Sequence, residues 1–114
     1  MKHFNSIKKN SDFQKVYRNG KSYANKLLIM YVKENGGEPN RIGISVSKKV
    51  GNSVVRHHIT RLIREIFRLN ENMLETGLDI VVVARPAAKE SDFKSIESAY
   101  LHLCGLHNIK KESK

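Results

Sequence analysis

The run "LDIVVVAR", residues 78–85, is apolar at almost every position and stands between Gly77 and Pro86. A strand that alternates apolar and polar residues can leave one face in water, whereas a continuously apolar one is buried on both. This run therefore reads as the central strand of a sheet. "LLIMYV", residues 27–32, is a second β-rich segment, apolar on both faces, and "ENGGEPN" breaks it with two glycines and Pro39. "RIGISVSK" then alternates, with Ile42, Ile44 and Val46 on one side and Gly43, Ser45 and Ser47 on the other, as in a half-buried strand.

Helical signals separate these strands. "SDFQ" from Ser11 to Gln14 has the form of a capping box. The helix "DFQKVYRN" follows, puts Phe13, Val16 and Tyr17 on one face and stops at Gly20, a fitting C-terminal glycine. A second helix starts at Asn52 or Ser53 and closes near Gly77. The last is expected from about Ser91 to Leu106, with Phe93, Ile96, Ala99, Tyr100 and Leu103 as its apolar face. The 114 residues fit one domain, 1–114, and the tail from about residue 107, "HNIKKESK", is expected to fray.

Charge narrows the partner. The formal net charge is +10, which points first to nucleic acid and second to an anionic membrane surface. Cys104 is the one cysteine, so no internal disulfide can form, which suits a reducing cytoplasm; it reads as a small buried apolar residue rather than a nucleophile. The N-terminus has no apolar run of signal-peptide length, and nothing approaches the ~18 apolar residues of a membrane span.

The charge concentrates in "KKVGNSVVRHHITRLIREIFR", residues 48–68, with two lysines, four arginines and two histidines against the single acid Glu65. On a helical wheel with Arg56 at zero, His57, Arg61, Arg64 and Arg68 fall at about 80° to 140°. Val55, Ile59, Leu62, Ile66, Leu69 and Met73 fall at about 220° to 300°. One face is thus expected on the sheet and the other in solvent, which leaves no apolar side free to enter a membrane. A merely solvated face would mix signs. Arginine forks suit phosphate, and Lys48 and Lys49 precede a helix N-terminus, where backbone N–H groups also favour phosphate.

The segment "ISVSKKVGNSVVRHHITRLIRE" resembles the signature of the bacterial ribonuclease P protein subunit, S-x-K-x-G-N-A-V-x-R-N-R-x-K-R-x-x-R-E. Ser47, Lys49, Gly51, Asn52, Val54, Arg56, Arg61, Arg64 and Glu65 match it. "KKNSDFQKVYRNGKSYAN" is similar to that family's opening helix and "DIVVVARPAA" to its last strand. Ser53, His58 and Thr60 depart from the usual alanine, arginine and lysine, so two formal charges are missing; His57 is ordinary there.

The resemblance implies an α+β fold. It would be a two-layer α/β sandwich with a mixed sheet, element order α-β-β-β-α-β-α and a left-handed βαβ crossover, a ribosomal-protein-like RNA-binding fold. General strand chirality would predict the opposite hand. It also implies a protein that binds a large catalytic RNA, with which it removes the 5′ leader of precursor tRNA in the cytoplasm. The RNA and its Mg²⁺ carry the chemistry, with no organic cofactor, no metal site on the protein and no obligate protein partner. Lys48, Lys49, Asn52, Arg56, His57, His58, Arg61, Arg64 and Arg68 would hold the catalytic RNA. Phe13, Tyr17, Tyr31, Gly43, Ser45 and Ser47 would line a cleft for the leader, the small residues leaving room for an extended strand. Phe13 and Tyr17, at i and i+4, could equally be core.

Catalysis by the protein itself is disfavoured. His57 and His58 point about 100° apart on a helix and cannot flank one phosphate. His102 and His107 have no cysteine or carboxylate partners at metal-ligand spacing, and His3 falls in a segment expected to be unstructured. An RNA-binding protein without any enzymatic complex, of similar fold, fits the composition as well as a ribonuclease P subunit does; the signature and the aromatics separate the two.

Overall fold

The structure, a computed structural model, describes residues 5–111. His3 lies outside the described residues. Five strands, β1 (Asn5–Ser6), β2 (Lys21–Ala24), β3 (Leu28–Glu34), β4 (Arg41–Ser45) and β5 (Leu78–Ala84), form one sheet in the order β1-β4-β5-β3-β2. Three α-helices accompany it: α1 (Asn10–Asn19), α2 (Ser53–Asn70) and α3 (Phe93–His107).

β5 is central, as its apolar run requires. It pairs antiparallel with β3 and parallel with β4, and α2 makes the connection between the two parallel neighbours. All of β5 except Val83 is buried. Ile80 and Val82 meet α2 and α3 on one face, while Val81 meets α1 on the other. Burial of each such side chain contributes about 1.5–3 kcal/mol.

The larger core lies on the α2/α3 face. It joins Leu28, Met30 and Ile42 of the sheet to Ile59, Ile63, Ile66 and Phe67 of α2 and to Ile96, Tyr100 and Leu103 of α3. The apolar stripe of α2 is rotated from the one expected. Ile63 and Phe67 are buried, whereas Leu69 and Met73 are 53% and 42% exposed. α2 has two partners, the sheet and α3, and Asn70 marks the second by donating from Nδ2 to Glu97 Oε2 at 2.9 Å. The buried arc is therefore centred between the two partners.

Three local expectations are corrected. The "SDFQ" capping box does not form: α1 starts two residues earlier, at Asn10, and Lys9 precedes it without a side-chain cap. Gly20 does end α1, but with an extended φ of −88°. Glycine is required there because a Cβ would lie 2.7 Å from the Val16 carbonyl oxygen and 2.8 Å from that of Val32. The tail does not fray at residue 107. Asn108 closes α3 in the left-handed conformation (φ 58°), Ile109 is buried, and Lys110 bridges to Leu74. Residues 112–114 lie outside the described ones.

The two-residue strand β1 was not anticipated. It runs parallel to β4, and Ile7 behind it donates its N–H to the Ile42 carbonyl at 2.9 Å and is buried over the α1 face.

Candidate nucleic-acid interface

The basic surface begins at a turn. Val50 N–H donates to the Ser47 carbonyl at 3.0 Å and Lys49 N–H to Ser47 Oγ at 3.3 Å, while buried Val50 anchors the turn. Lys48 and Lys49 stay exposed. Asn52 is the N-cap of α2: its Oδ1 accepts from Val55 N–H at 3.0 Å, satisfying one orphan donor. Its side-chain oxygen is committed to starting the helix.

Along α2, His57, His58, Arg61 and Arg64 are exposed. Arg61 and Arg64 form no ion pair among the described residues. Arg68 differs, since Glu65 takes it through a two-point contact, Nε to Oε1 at 3.0 Å and Nη2 to Oε2 at 2.5 Å. This contact holds the Glu65 carboxyl below its ordinary range and raises the Arg68 guanidinium. Arg56 is half-buried against β4, its Nε has no hydrogen-bond partner among the described residues, and Thr60 Oγ1 donates to its carbonyl at 2.9 Å. A groove of about 350 Å³ runs between Ile44 and Val46 on one side and Arg56, Thr60 and Arg64 on the other. Val54, 75% exposed, sits in the first turn beside His57, His58 and Arg61. An unburied valine in a basic patch is a feature the wheel could flag only as off the apolar arc.

The aromatic residues meet on the opposite face of the sheet. The Tyr17 and Tyr31 rings lie edge-to-face with centroids 4.9 Å apart, and Phe13 is 6.3 Å from Tyr17. All three are half-buried, packed on Ile7, Val16, Val81 and Val83. Phe13 and Tyr17 thus take part in the core, and each remains partly exposed.

Gly43 does not leave open room. A Cβ there would lie 2.8 Å from Phe13 Cε1, so the ring rests on the glycine. The open floor lies one row further along. Strand register aligns Ser45, Val83, Ile29 and Ala24 across β4, β5, β3 and β2, and all four keep some exposure. Ser47 lies beyond it, in the turn before α2, and is exposed. Val83, Ile29 and Ala24 could not be found from the sequence, because they become neighbours only through pairing across four strands.

One polar cluster fixes α1 to this face. Arg41 donates to Asp79 through Nε at 2.9 Å and Nη2 at 2.6 Å, and reaches Asp12 of α1 at 3.4 Å. Asn35 Nδ2 adds 3.1 Å hydrogen bonds to Asp79 Oδ1 and the Pro39 carbonyl. Burial pushes the Asp79 carboxyl up, but the hydrogen bonds from Arg41 and Asn35 outweigh it and hold it below the ordinary 3.8. The hydrogen bond to Asp79 raises Arg41 in turn. Nearby Asn40, 3% exposed, accepts from Leu78 N–H at 2.8 Å and donates to the Glu75 carbonyl at 2.7 Å, setting the entry of β5. The signal was a single acid, Asp79, inside an otherwise apolar strand.

His107, His102 and Cys104 are held within the fold. His107 Nε2 lies 2.8 Å from the Met30 carbonyl and its ring sits edge-on to Tyr23, with burial holding its pKa below 6.5. His102 Nδ1 is 3.1 Å from Asn25 Nδ2. Cys104 is fully buried and its thiol is pushed up to about 11 by burial. Among the described residues no three His, Cys, Asp or Glu side chains come together as a metal site, and no described helix is long and apolar enough to cross a membrane.

Comparison with known proteins agrees with this geometry. A family model described as Ribonuclease P matches residues 1–107. The ribonuclease P protein component of Lachnoclostridium phytofermentans is 56% identical over 108 residues, covering 95% of this chain and 93% of that protein. That of Alkaliphilus metalliredigens is 60% identical over 99 residues, covering 87% and 89%. The solved RNase P protein of Staphylococcus aureus superposes with a TM-score of 0.87 at 37% identity, over 96% of this chain and 100% of that one. That of Thermotoga maritima gives 0.82 at 30% identity, over 95% and 100%. With a basic helix on one face of its sheet and an aromatic-edged floor on the other, the chain belongs to the ribonuclease P protein family.

Proposed function

We propose that this chain is the protein subunit of ribonuclease P, binding the catalytic RNA through α2 and the 5′ leader of precursor tRNA on the aromatic-edged face. The observation that carries this reading is the placement of two unlike surfaces on opposite faces of one sheet. The first is a set of exposed cations, Lys48, Lys49, Arg61 and Arg64 with His57 and His58. Such a set suits a duplex-rich RNA bound through its phosphates. The second is an uncharged floor beside Tyr17 and Tyr31, which suits a single strand whose bases stack.

The protein contributes binding and positioning, and the RNA contributes the chemistry. His57 and His58 diverge from one exposed turn, and among the described residues neither is ion-paired with a carboxylate that would orient it. Mg²⁺, which would activate water and stabilise the departing oxygen, fits the RNA better than the protein. The acids nearest the cleft, Asp12 and Asp79, are both engaged by Arg41, and Mg²⁺ prefers phosphate oxygens and retained waters. A cytoplasmic setting with precursor tRNA as substrate follows from the same reading.

The test is cleavage of precursor tRNA at limiting Mg²⁺ by a matched catalytic RNA, with and without the protein. Stimulation by the protein, with no specific cleavage by the protein alone, is the expected result. Specific 5′ cleavage by an RNA-free preparation, lost on His57→Ala or His58→Ala, would refute the division of labour.

A further inference from the structure

Arg85 belongs to neither surface described so far. Asp79, Val81 and Val83 share the cleft face of β5 by register with Lys33, Tyr31 and Ile29, and Arg85 is the next position of that parity. Its place is fixed twice. Its backbone N–H donates to the Leu27 carbonyl at 2.8 Å, and its Nη1 donates to the Asn25 carbonyl at 2.9 Å. Asn25 is itself anchored: its Oδ1 accepts from Leu27 and Leu28 N–H at 3.2 and 3.0 Å, and its Nδ2 donates to the Ala99 carbonyl of α3 at 3.0 Å. The guanidinium is exposed and held at the end of the floor away from the tyrosines, with further N–H groups available.

The floor residues Ser45, Val83, Ile29 and Ala24 carry no charge. A single strand lying on them needs cations at the margin to hold its backbone. Arg85 supplies one at a defined distance: it lies four positions along the strand from Val81, which pairs with Tyr31, or about 13 Å.

Resting on the reading that the leader lies on this face, we propose that Arg85 is a phosphate contact for the leader strand, placed beyond the nucleotide that meets the tyrosines. At about 3.4 Å per phosphate for a stacked strand, and roughly twice that when extended, the two contacts are about two to four nucleotides apart.

The experiment measures affinity of the reconstituted RNA–protein complex for mature tRNA and for precursors of stepwise longer leaders, using the parent, Tyr17→Ala and Arg85→Gln. Arg85→Gln keeps a side-chain amide that can still serve the Asn25 carbonyl, and circular dichroism checks its fold. The expected result is a three- to tenfold loss for Arg85→Gln that is absent with mature tRNA. It should set in at a leader length about two to four nucleotides from the onset for Tyr17→Ala. The salt slope should drop by roughly 0.7 for long leaders only. If Tyr17→Ala loses leader affinity and a folded Arg85→Gln loses none, the Arg85 assignment is overturned while the cleft reading stands. Equal losses for mature tRNA and all precursors would also overturn it, making Arg85 a clamp on the turn at Asn25. If neither variant responds to leader length, the cleft reading fails and takes the proposal with it.

Discussion

The α2 surface and the α1 cleft are built in opposite ways. The first is one helix whose inner face is locked by Ile59, Ile63, Ile66 and Phe67, each at most 1% exposed, and whose outer face is free. The second is assembled from α1 and four strands, and among the described contacts its helix is held by Val16, three aromatic rings and the Arg41 cluster. A cation array tolerates loss of one member, because each phosphate contact adds separately. A face made by register and one half-buried ion pair depends on every member. The comparison teaches that the α1 face should be the fragile half of the molecule and the α2 face the robust half.

The sharpest way to break that contrast is Asp79→Ala. It leaves Arg41 without its main partner and should cost about 3 kcal/mol, read as a lowered thermal midpoint. The same interaction gives a pH signature. Because the Asp79 carboxyl is held below its ordinary 3.8, its contribution is intact above that value and lost as pH falls beneath it. The parent should therefore lose more stability on acidification below about pH 4 than Asp79→Ala does. Equal slopes for the two proteins would show that this pair does not hold the fold.

Next in size is Gly43→Ala, whose methyl group would meet the Phe13 ring at 2.8 Å. Forcing that ring off the sheet should cost about 1–3 kcal/mol of stability and weaken leader binding while sparing affinity for the catalytic RNA. An unchanged thermal midpoint would mean that α1 yields freely.

Arg64→Ala should fold normally and weaken binding of the catalytic RNA alone, flattening its salt dependence by roughly one unit of slope. An unchanged slope would remove Arg64 from the interface. The smallest effect belongs to Glu65→Gln, which releases Arg68 from its two-point contact. RNA affinity should rise, by less than about threefold, as one more cation joins the array. A fall would show that Glu65 orients Arg68 toward RNA rather than withholding it.

Legibility in the sequence follows the same division. Periodicity and turn residues exposed the central strand, the alternation of β4 and the three helices, because each is a local pattern. The basic face of α2 was readable for the same reason. The rotation of its buried stripe toward Ile63 and Phe67 was not, since it depends on where α3 lies. Nor was the pairing of Asn5 and Ser6 with β4, which uses backbone groups and leaves no side-chain period. The aromatics of the α1 face were singled out through the family resemblance, whereas Phe13 lying on Gly43, and the row of Val83, Ile29 and Ala24, arise from register between distant segments. The buried Asn40 and the Arg41–Asp79 pair are likewise products of the assembled sheet.

The turn at residues 46–52 has a consequence for how this chain tolerates changes in length. Surface loops usually accept insertions at little cost, and the Gly36–Gly37 tip of "ENGGEPN" should, since the space on the side-chain side of both glycines is open to beyond 4 Å. The 46–52 turn is also at the surface, yet it joins the last floor residue of one face to the first cation of the other. Its span is closed by Ser47 and pinned by buried Val50, and on the proposed reading it sets the distance between the leader and the catalytic RNA. On that reading, a residue added there would leave the fold standing and put the leader out of step with the catalytic RNA.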